Sequence, residues 1–300
     1  MSAAAAITLE SLTKSYGKAR GIIDLDLEVK AGEVFGFLGP NGAGKTTTIR
    51  TLLDLIRPTS GTATVLGLDA QKDSLEIRTR TGYLPGELAL YEAMTVHESL
   101  DYLCALRGGA GSGSILELSD RFELDLTRKI KDLSTGNKQK VGVIQAFGHE
   151  PELLILDEPT VGLDPLMQQN VYHLIDIAHD EGRTVFLSSH VLPEVERIAE
   201  RVGIIRKGEL IEVATVDELK DRAVRVVEVR FGGVGPTEQT LMNIANVVSV
   251  QKRRTTTRIR IEGSMDALVK AVAGYEVIAM RSEEADLEEV FLDLYREVDE

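Results

Sequence analysis

Apolar residues fall at three different spacings along this chain, and each spacing predicts a different element. Ile23, Leu25, Leu27 and Val29 alternate with polar residues, as in a half-buried antiparallel strand. Ala31 and Gly32 then turn the chain. Residues 34–38 form a short, partly β-branched apolar run that reads as a buried strand. From Lys45, the sequence KTTTIRTLLDLIR has helical spacing through Ile49, Leu52, Leu53 and Ile56, with Pro58 as the expected stop. Residues 153–156 and 184–187 are two more candidate buried strands. Between them, Val171, Leu174, Ile175 and Ala178 mark one helix face, and Gly182 is its expected C-terminal stop. Strands alternating with helices predict an α/β fold with a largely parallel sheet. Residues 95–147 contain no convincing strand and read as a helical insertion, with the Gly/Ser run at 108–113 as a loop inside it.

After about residue 216 the pattern changes. VRVVEVRF at 224–231 alternates as a strand does, residues 236–245 suit a helix, and VVSVQKRR and TRIRIEG look like two strands around a short turn. Ser264 is placed to cap the helix MDALVKAVA, Gly274 to end it, and YEVIAM is again strand-like. This β-α-β-β-α-β order is the split βαβ pattern of ferredoxin-like domains. A last amphipathic helix carries Leu287, Val290, Phe291 and Leu294. The expected organisation is therefore one domain over 1–216, with a helical subdomain at about 90–147, and a small α+β domain over 217–300.

Charge narrows the function classes. The 300 residues include 34 basic and 48 acidic side chains, a formal charge of −14, of which residues 282–300 supply −8. A net acidic chain is not a non-specific nucleic-acid binder, and no nucleic-acid partner is expected. The 43% hydrophobic and 27% charged composition excludes a disordered or fibrous chain. Cys104 is the only cysteine, which excludes an internal disulfide or a cysteine zinc site and suits a reducing compartment. No apolar run approaches the roughly 18 residues of a membrane span. The start, MSAAAAITLESLTKSYG, does not read as a signal peptide, so a cytoplasmic location is expected.

Two segments carry candidate chemistry on their own terms. Gly39-Pro40-Asn41-Gly42-Ala43-Gly44-Lys45-Thr46 fits the pattern G-x-x-x-x-G-K-[ST] between an expected strand and an expected helix. Its glycines let backbone N–H groups turn around phosphate oxygens, and the helix N-terminus adds its positive dipole end. Lys45 suits the β- and γ-phosphates, and Thr46 a Mg²⁺ ion. Leu153-Leu154-Ile155-Leu156-Asp157-Glu158 is an apolar strand ending in two acids. Asp157 suits Mg²⁺, and Glu158 suits activation of a water against the γ-phosphate. Such an acidic pair is often only a solvated turn, and the phosphate loop is what favours the metal reading.

At this point the sequence resembles the nucleotide-binding subunits of ATP-binding-cassette (ABC) transporters. Leu133-Ser134-Thr135-Gly136-Asn137-Lys138-Gln139 is similar to that family's signature, LSGGQ, and precedes the acidic strand by about 20 residues, as in the family. Thr135 and Asn137 depart from its commonest form. Physically, Ser-x-Gly opening a helix offers a hydroxyl and free N–H groups to a phosphate. The resemblance implies an ABC ATPase core with a mixed sheet, and ATP held by Gly39 through Lys45, Thr46 and Thr47, with Tyr16 stacked on adenine. It implies Mg²⁺ on Thr46 and Asp157, with Glu158, His190 and Lys45 as the catalytic set. It further implies that two copies close head-to-tail, so that Ser134, Thr135, Gly136 and Asp164 of one reach the ATP of the other. His190 holds the γ-phosphate in this reading, and Gly162-Leu163-Asp164 is the loop through which the copies communicate.

One departure stands out. The family usually has a glutamine near the metal, but here Gly82-Tyr83-Leu84-Pro85 is followed by Gly86 and Glu87, so that contact is missing or Glu87 replaces it. GYLPGE followed by LYEAMTVHESL resembles the bacterial drug- and antibiotic-exporter branch, whose permease is a separate chain. This implies a peripheral location on the inner face of the membrane, with residues 85–103 touching the permease. Two rivals remain at this level: an importer ATPase, and a soluble ABC ATPase of translation or DNA repair. Against the second stand the single phosphate loop and the lack of a coiled-coil or zinc insertion. Lys252, Arg253, Arg254, Arg258 and Arg260 form a basic hairpin that is either a solvated strand face or a contact for lipid headgroups or the acidic segment 283–300.

Overall fold

The computed structural model describes residues 4–17, 19–109, 111–253, 256–283 and Phe291. The chain divides into two compact units, Met1–Val213 and Ala214–Glu300. In chain order, the first contains β1 (Ala5–Tyr16), β2 (Ala19–Lys30), β3 (Val34–Leu38), α1 (Lys45–Leu52), β4 (Ser60–Val65), β5 (Leu68–Asp69), α2 (Ser74–Arg80) and β6 (Thr81–Leu84). It continues through α3 (Val96–Leu106), α4 (Ser112–Arg121), α5 (Thr135–Phe147), β7 (Leu153–Asp157), α6 (Pro165–Asp180), β8 (Thr184–Ser189), α7 (Leu192–Ile198), β9 (Arg201–Arg206) and β10 (Glu209–Thr215). No described helix is long and apolar enough to cross a membrane.

Two sheets form this unit. One is antiparallel, in the order β2-β1-β4-β5, and the other runs β10-β9-β3-β8-β7-β6 with β3, β6, β7, β8 and β9 parallel. Every residue of β3, β7 and β8 is buried, as strands covered on both faces must be. Phe35 stacks on Phe186 across β3 and β8 with ring centroids 5.8 Å apart. Lys207 and Gly208, both at positive φ, make the two-residue type I′ turn that joins β9 to β10. The segment expected to be a helical insertion holds α3, α4 and α5, and α4 begins at Ser112, inside the run read as a loop.

Two local expectations are corrected. Ile23 does not share a face with Leu25: it is exposed, and Ile22 is buried instead. The pairing shifts from Leu12↔Leu25 to Lys14↔Ile22, and Asp24 at φ 49° is the extra residue of a β-bulge that flips the alternation. α1 ends at Leu52, well before Pro58. Asp54 adopts the left-handed conformation, its N–H donates to Thr51 O at 3.1 Å, and Leu55 N–H donates to Arg50 O at 2.8 Å. That is a Schellman stop built on Asp rather than Gly.

The second unit contains α8 (Val216–Arg222), β11 (Val224–Phe231), α9 (Glu238–Met242), β12 (Val247–Arg253), β13 (Thr256–Glu262), α10 (Asp266–Val272) and β14 (Val277–Ser282). Its four strands are antiparallel in the order β12-β13-β11-β14. Val227, Val229, Leu241, Ile259, Ile261, Leu268 and Val272 form its core. The expected helix at 236–245 is the shorter α9, capped by Thr237, and β14 starts two residues later than expected. The cap position of α10 is Met265, while the Ser264 hydroxyl accepts from Asp266 N–H at 3.3 Å. Arg254 and the expected last helix lie outside the described residues, apart from Phe291, which is buried.

His149, just beyond α5, is largely buried. Neither ring nitrogen has a hydrogen-bond partner among the described residues. Burial, then the neighbouring Arg107 charge, pulls its pKa down to about 4. The unfolded chain therefore takes up a proton near pH 6.5 that the folded chain refuses until about pH 4. Stability is expected to be flat above that window and to fall as the pH drops through it. Denaturation midpoints measured between pH 7 and 4 should flatten in His149→Gln; an identical slope in the variant would assign the loss to other groups.

Candidate nucleotide-binding and hydrolysis site

Strand order brings distant parts of the sequence together. β8 lies between β3 and β7, with Leu38 paired to Ser189 and Asp157 to Ser188. The loop after β3, the acids at the end of β7 and the histidine after β8 therefore meet at the carboxyl edge of one parallel sheet, where open α/β sheets bind ligands. β6 pairs Leu84 with Leu156 and delivers Gly86 to the same edge.

Residues 39–44 link β3 to α1. Gly42 and Gly44 take positive φ values of 78° and 116°, which turns successive backbone N–H groups toward one side. The loop is wedged tightly: a Cβ at Gly39 would lie 2.3 Å from Ile205 O. A cleft of about 240 Å³ is lined by residues 40–47 and Glu158. Lys45 is 6% exposed, and its Nζ donates to Gly39 O at 2.6 Å and lies 3.2 Å from Glu158 Oε1. Thr46 Oγ1 donates to Asp157 Oδ2 at 2.8 Å, and Ser188 Oγ donates to Asp157 Oδ1 at 2.5 Å. Glu158 Oε2 is 2.8 Å from His190 Nδ1. Glu158 sits at φ 53°, and its N–H donates to Ser188 O at 3.1 Å. Left-handed backbone on a non-glycine residue costs roughly 1–2 kcal/mol and marks a carboxylate held in place by its surroundings. The Tyr83 phenol, pushed up to about 12 by burial and by the Asp157 charge, remains a neutral hydroxyl here.

The remaining sequence-derived residues fall around this centre. Ser134 caps α5, its hydroxyl accepting from Asn137 N–H at 3.3 Å. Gly136 leaves room for the neighbouring loop, since a Cβ there would stand 3.0 Å from Gly162 O. Gln139 Nε2 donates to Pro159 O at 3.2 Å, which ties α5 to the same loop. Asp164 caps α6, accepting from Leu166 and Met167 N–H groups at 3.0 Å each. Tyr16, at the end of β1, is exposed, with Lys14 Nζ 5.3 Å from its ring centre. Glu87 is exposed, while a Cβ at Gly86 would lie 3.3 Å from Asp157 Oδ2, so the chain passes the acid with backbone alone.

Sequence reasoning missed Ser188. It is fully buried, bonds Asp157 and serves as acceptor for Glu158 N–H. Its signal was a hydroxyl ending an otherwise apolar strand. Thr46 Oγ1 and Asp157 are hard oxygen donors side by side, a set that suits Mg²⁺. Beside them stand a cation for phosphate and a carboxylate bonded to an imidazole, the parts that phosphoryl transfer to water requires. Ser188→Ala leaves Asp157 Oδ1 without its buried donor, with an expected cost of about 1–3 kcal/mol in unfolding free energy. Chemical denaturation reads this directly, and an unchanged midpoint would show that the bond contributes nothing.

Comparison with known proteins bears on what this geometry serves. A match to the ABC transporter family covers residues 22–161. The bacitracin transport ATP-binding protein BcrA of Bacillus licheniformis is 40% identical over 225 residues, covering 74% of this chain and 74% of the relative. The linearmycin resistance ATP-binding protein LnrL of Bacillus subtilis (strain 168) is 32% identical over 300 residues, covering 95% of this chain and 96% of that one. A solved dimeric bacterial ABC transporter cassette matches with a TM-score of 0.64 at 25% identity, covering 70% of this chain and 98% of that one. Likeness at this level, extending over nearly the whole length of a relative, makes this chain a member of the ATP-binding subunits of ABC transporters.

Proposed function

We propose that this chain hydrolyses ATP as one subunit of an exporter whose membrane-spanning permease is a separate protein. The observation that carries the reading is the contact chain Lys45–Glu158–His190 set beside the Thr46–Asp157 pair. In this reading the loop from Gly39 to Thr47 holds the phosphates, with the Lys45 ammonium on the β- and γ-oxygens. Thr46 and Asp157 hold Mg²⁺, which neutralises phosphate charge when bound. Glu158 takes the proton of the attacking water. His190, hydrogen-bonded to Glu158, holds that water and the γ-phosphate in line. Tyr16 offers its exposed ring to adenine. Gly86 supplies no side chain to the metal, and Glu87 is the nearest acid in sequence.

The cleft is lined by residues 40–47 and Glu158, and the Ser134–Gly136 turn packs on Gly162 instead. We assign Ser134, Thr135, Gly136 and Asp164 to the ATP of a second copy in a head-to-tail homodimer; the solved cassette above, a dimer, supports a two-copy assembly. The first 213 residues carry this work, and the second unit is accessory. A cavity of about 210 Å³ lined by Leu53, Leu55, Arg78, Pro85, Leu88 and Arg107, among others, supports a permease contact near residues 85–103. In this reading the chain sits on the inner membrane face through its permease. The bacitracin and linearmycin relatives support export of an antibiotic-like compound.

Glu158→Gln keeps the shape of the side chain but removes its basicity. Turnover is expected to fall about 10²–10⁴-fold while ATP still binds. ATP-bound dimers should then accumulate on a sizing column. Near-normal turnover in this variant would remove Glu158 from the base role.

A further inference from the structure

Glu194 stands between two segments that the hydrolysis site needs in fixed relation. Its Oε1 accepts from Thr160 Oγ1 at 2.5 Å, and its Oε2 accepts from Ser189 Oγ at 2.9 Å. Ser189 Oγ in turn accepts from Val191 N–H at 2.9 Å. Thr160 is 3% exposed and Ser189 is fully buried. Thr160 lies two residues beyond Glu158, and its carbonyl accepts from Leu163 N–H at 3.1 Å, inside the loop that ends at Asp164. Ser189 directly precedes His190. The Tyr172 phenol of α6 also faces Glu194: burial, then the Glu194 charge, pushes its pKa up. One carboxylate thus fastens the loop after β7 to the last residue of β8, next to His190.

Strand pairing holds Ser189 through Leu38 of β3, but it does not reach His190 or the loop that carries Thr160. The ladder between β7 and β8 ends at Asp157 and Ser188, so Glu158 and His190 both lie beyond it. Their 2.8 Å contact depends on where two loop segments settle. Charge-assisted hydrogen bonds from hydroxyls to a carboxylate are short and about twice as strong as neutral ones. We propose that Glu194 is a positioning residue for hydrolysis: it clasps Thr160 and Ser189 so that His190 stays on Glu158 and moves as one body with the loop carrying Asp164. This rests on the roles given above to Glu158 and His190. Neither Glu194 nor Thr160 is assigned a contact with nucleotide, so their loss should act on turnover and not on ATP binding.

The test compares full-length Glu194→Ala, Thr160→Val, Thr160→Ser and the Glu194→Ala/Thr160→Val double variant, with Glu158→Gln as the control, for ATP hydrolysis and equilibrium ATP binding. Glu194→Ala and Thr160→Val are each expected to lower kcat about tenfold, with ATP affinity within about twofold of the parent. Thr160→Ser, which restores the hydroxyl, should turn over almost normally. The double variant should be no slower than the slower single one, because both break the same clasp. Normal kcat in Glu194→Ala, multiplied losses in the double variant, or equal damage from Thr160→Ser and Thr160→Val would each overturn the proposal. If Glu194→Ala does not fold, the Thr160 pair decides on the same terms. Glu158→Gln separates the two levels of argument. If it is inactive while the clasp variants are normal, only the clasp is wrong; if it remains active, the role given to Glu158 is wrong.

Discussion

The carboxylate of Glu158 lies between two nitrogens, 3.2 Å from Lys45 Nζ and 2.8 Å from His190 Nδ1, and the rest of the first unit serves to place those three groups. They come from positions 45, 158 and 190, and only the order β3-β8-β7 brings them to one edge. The Lys45 ammonium faces one oxygen of that carboxylate, and the imidazole on the other oxygen fixes its rotation. The left-handed backbone at Glu158 is tolerated because Ser188 O accepts its N–H. Packing, topology and local strain all converge on that single side chain.

Much of this was legible in the sequence, for an identifiable reason. The phosphate loop and the run LLILDE are contiguous, so both residue types and spacing sit in a single stretch of chain. The buried strands 34–38, 153–156 and 184–187 stand out because strands covered on both faces must be apolar throughout. What escaped depends on strand pairing or on a local backbone conformation unusual for its residue type. The bulge at Asp24 is a property of two paired strands, so alternation alone put Ile23 on the wrong face. The stop at Asp54 uses an Asp in a conformation that usually signals Gly, and the helix was read through to Pro58. β1 pairs with β4 across about 50 residues, β5 is a two-residue strand that closes on β4, and the sequence reading assigned none of them. Ser188 matters only through the register that sets it opposite Asp157.

The departures from the family pattern are physically coherent. Gly86 passes Asp157 with backbone alone, and a side chain there would begin 3.3 Å from the carboxylate, tighter than an ordinary contact. In the proposed reading Thr46 and Asp157 hold Mg²⁺, and Gly86 adds no side chain to them. In the second unit, one sheet face is apolar and carries the core, while Arg258, on the other, lies 3.7 Å from Glu283 at the start of the acidic segment. The positive field of the phosphate loop is local and comes from its backbone N–H groups and Lys45.

The central claim is that each hydrolysis site is made from two copies of this chain, one supplying Lys45 and Glu158 and the other the turn at Ser134–Gly136. Mixing two disabled subunits tests this most directly. Lys45→Ala removes the phosphate-binding ammonium, and Gly136→Glu sets a carboxylate against ATP, where like charges repel. In a head-to-tail heterodimer one site carries both defects, while the other joins an intact phosphate loop to an intact turn. With heterodimer formation verified separately, photo-crosslinkable ATP should label α5 of the Lys45→Ala subunit in the mixture and in neither variant alone. A mixture that forms heterodimers yet never labels that helix would contradict the two-copy site.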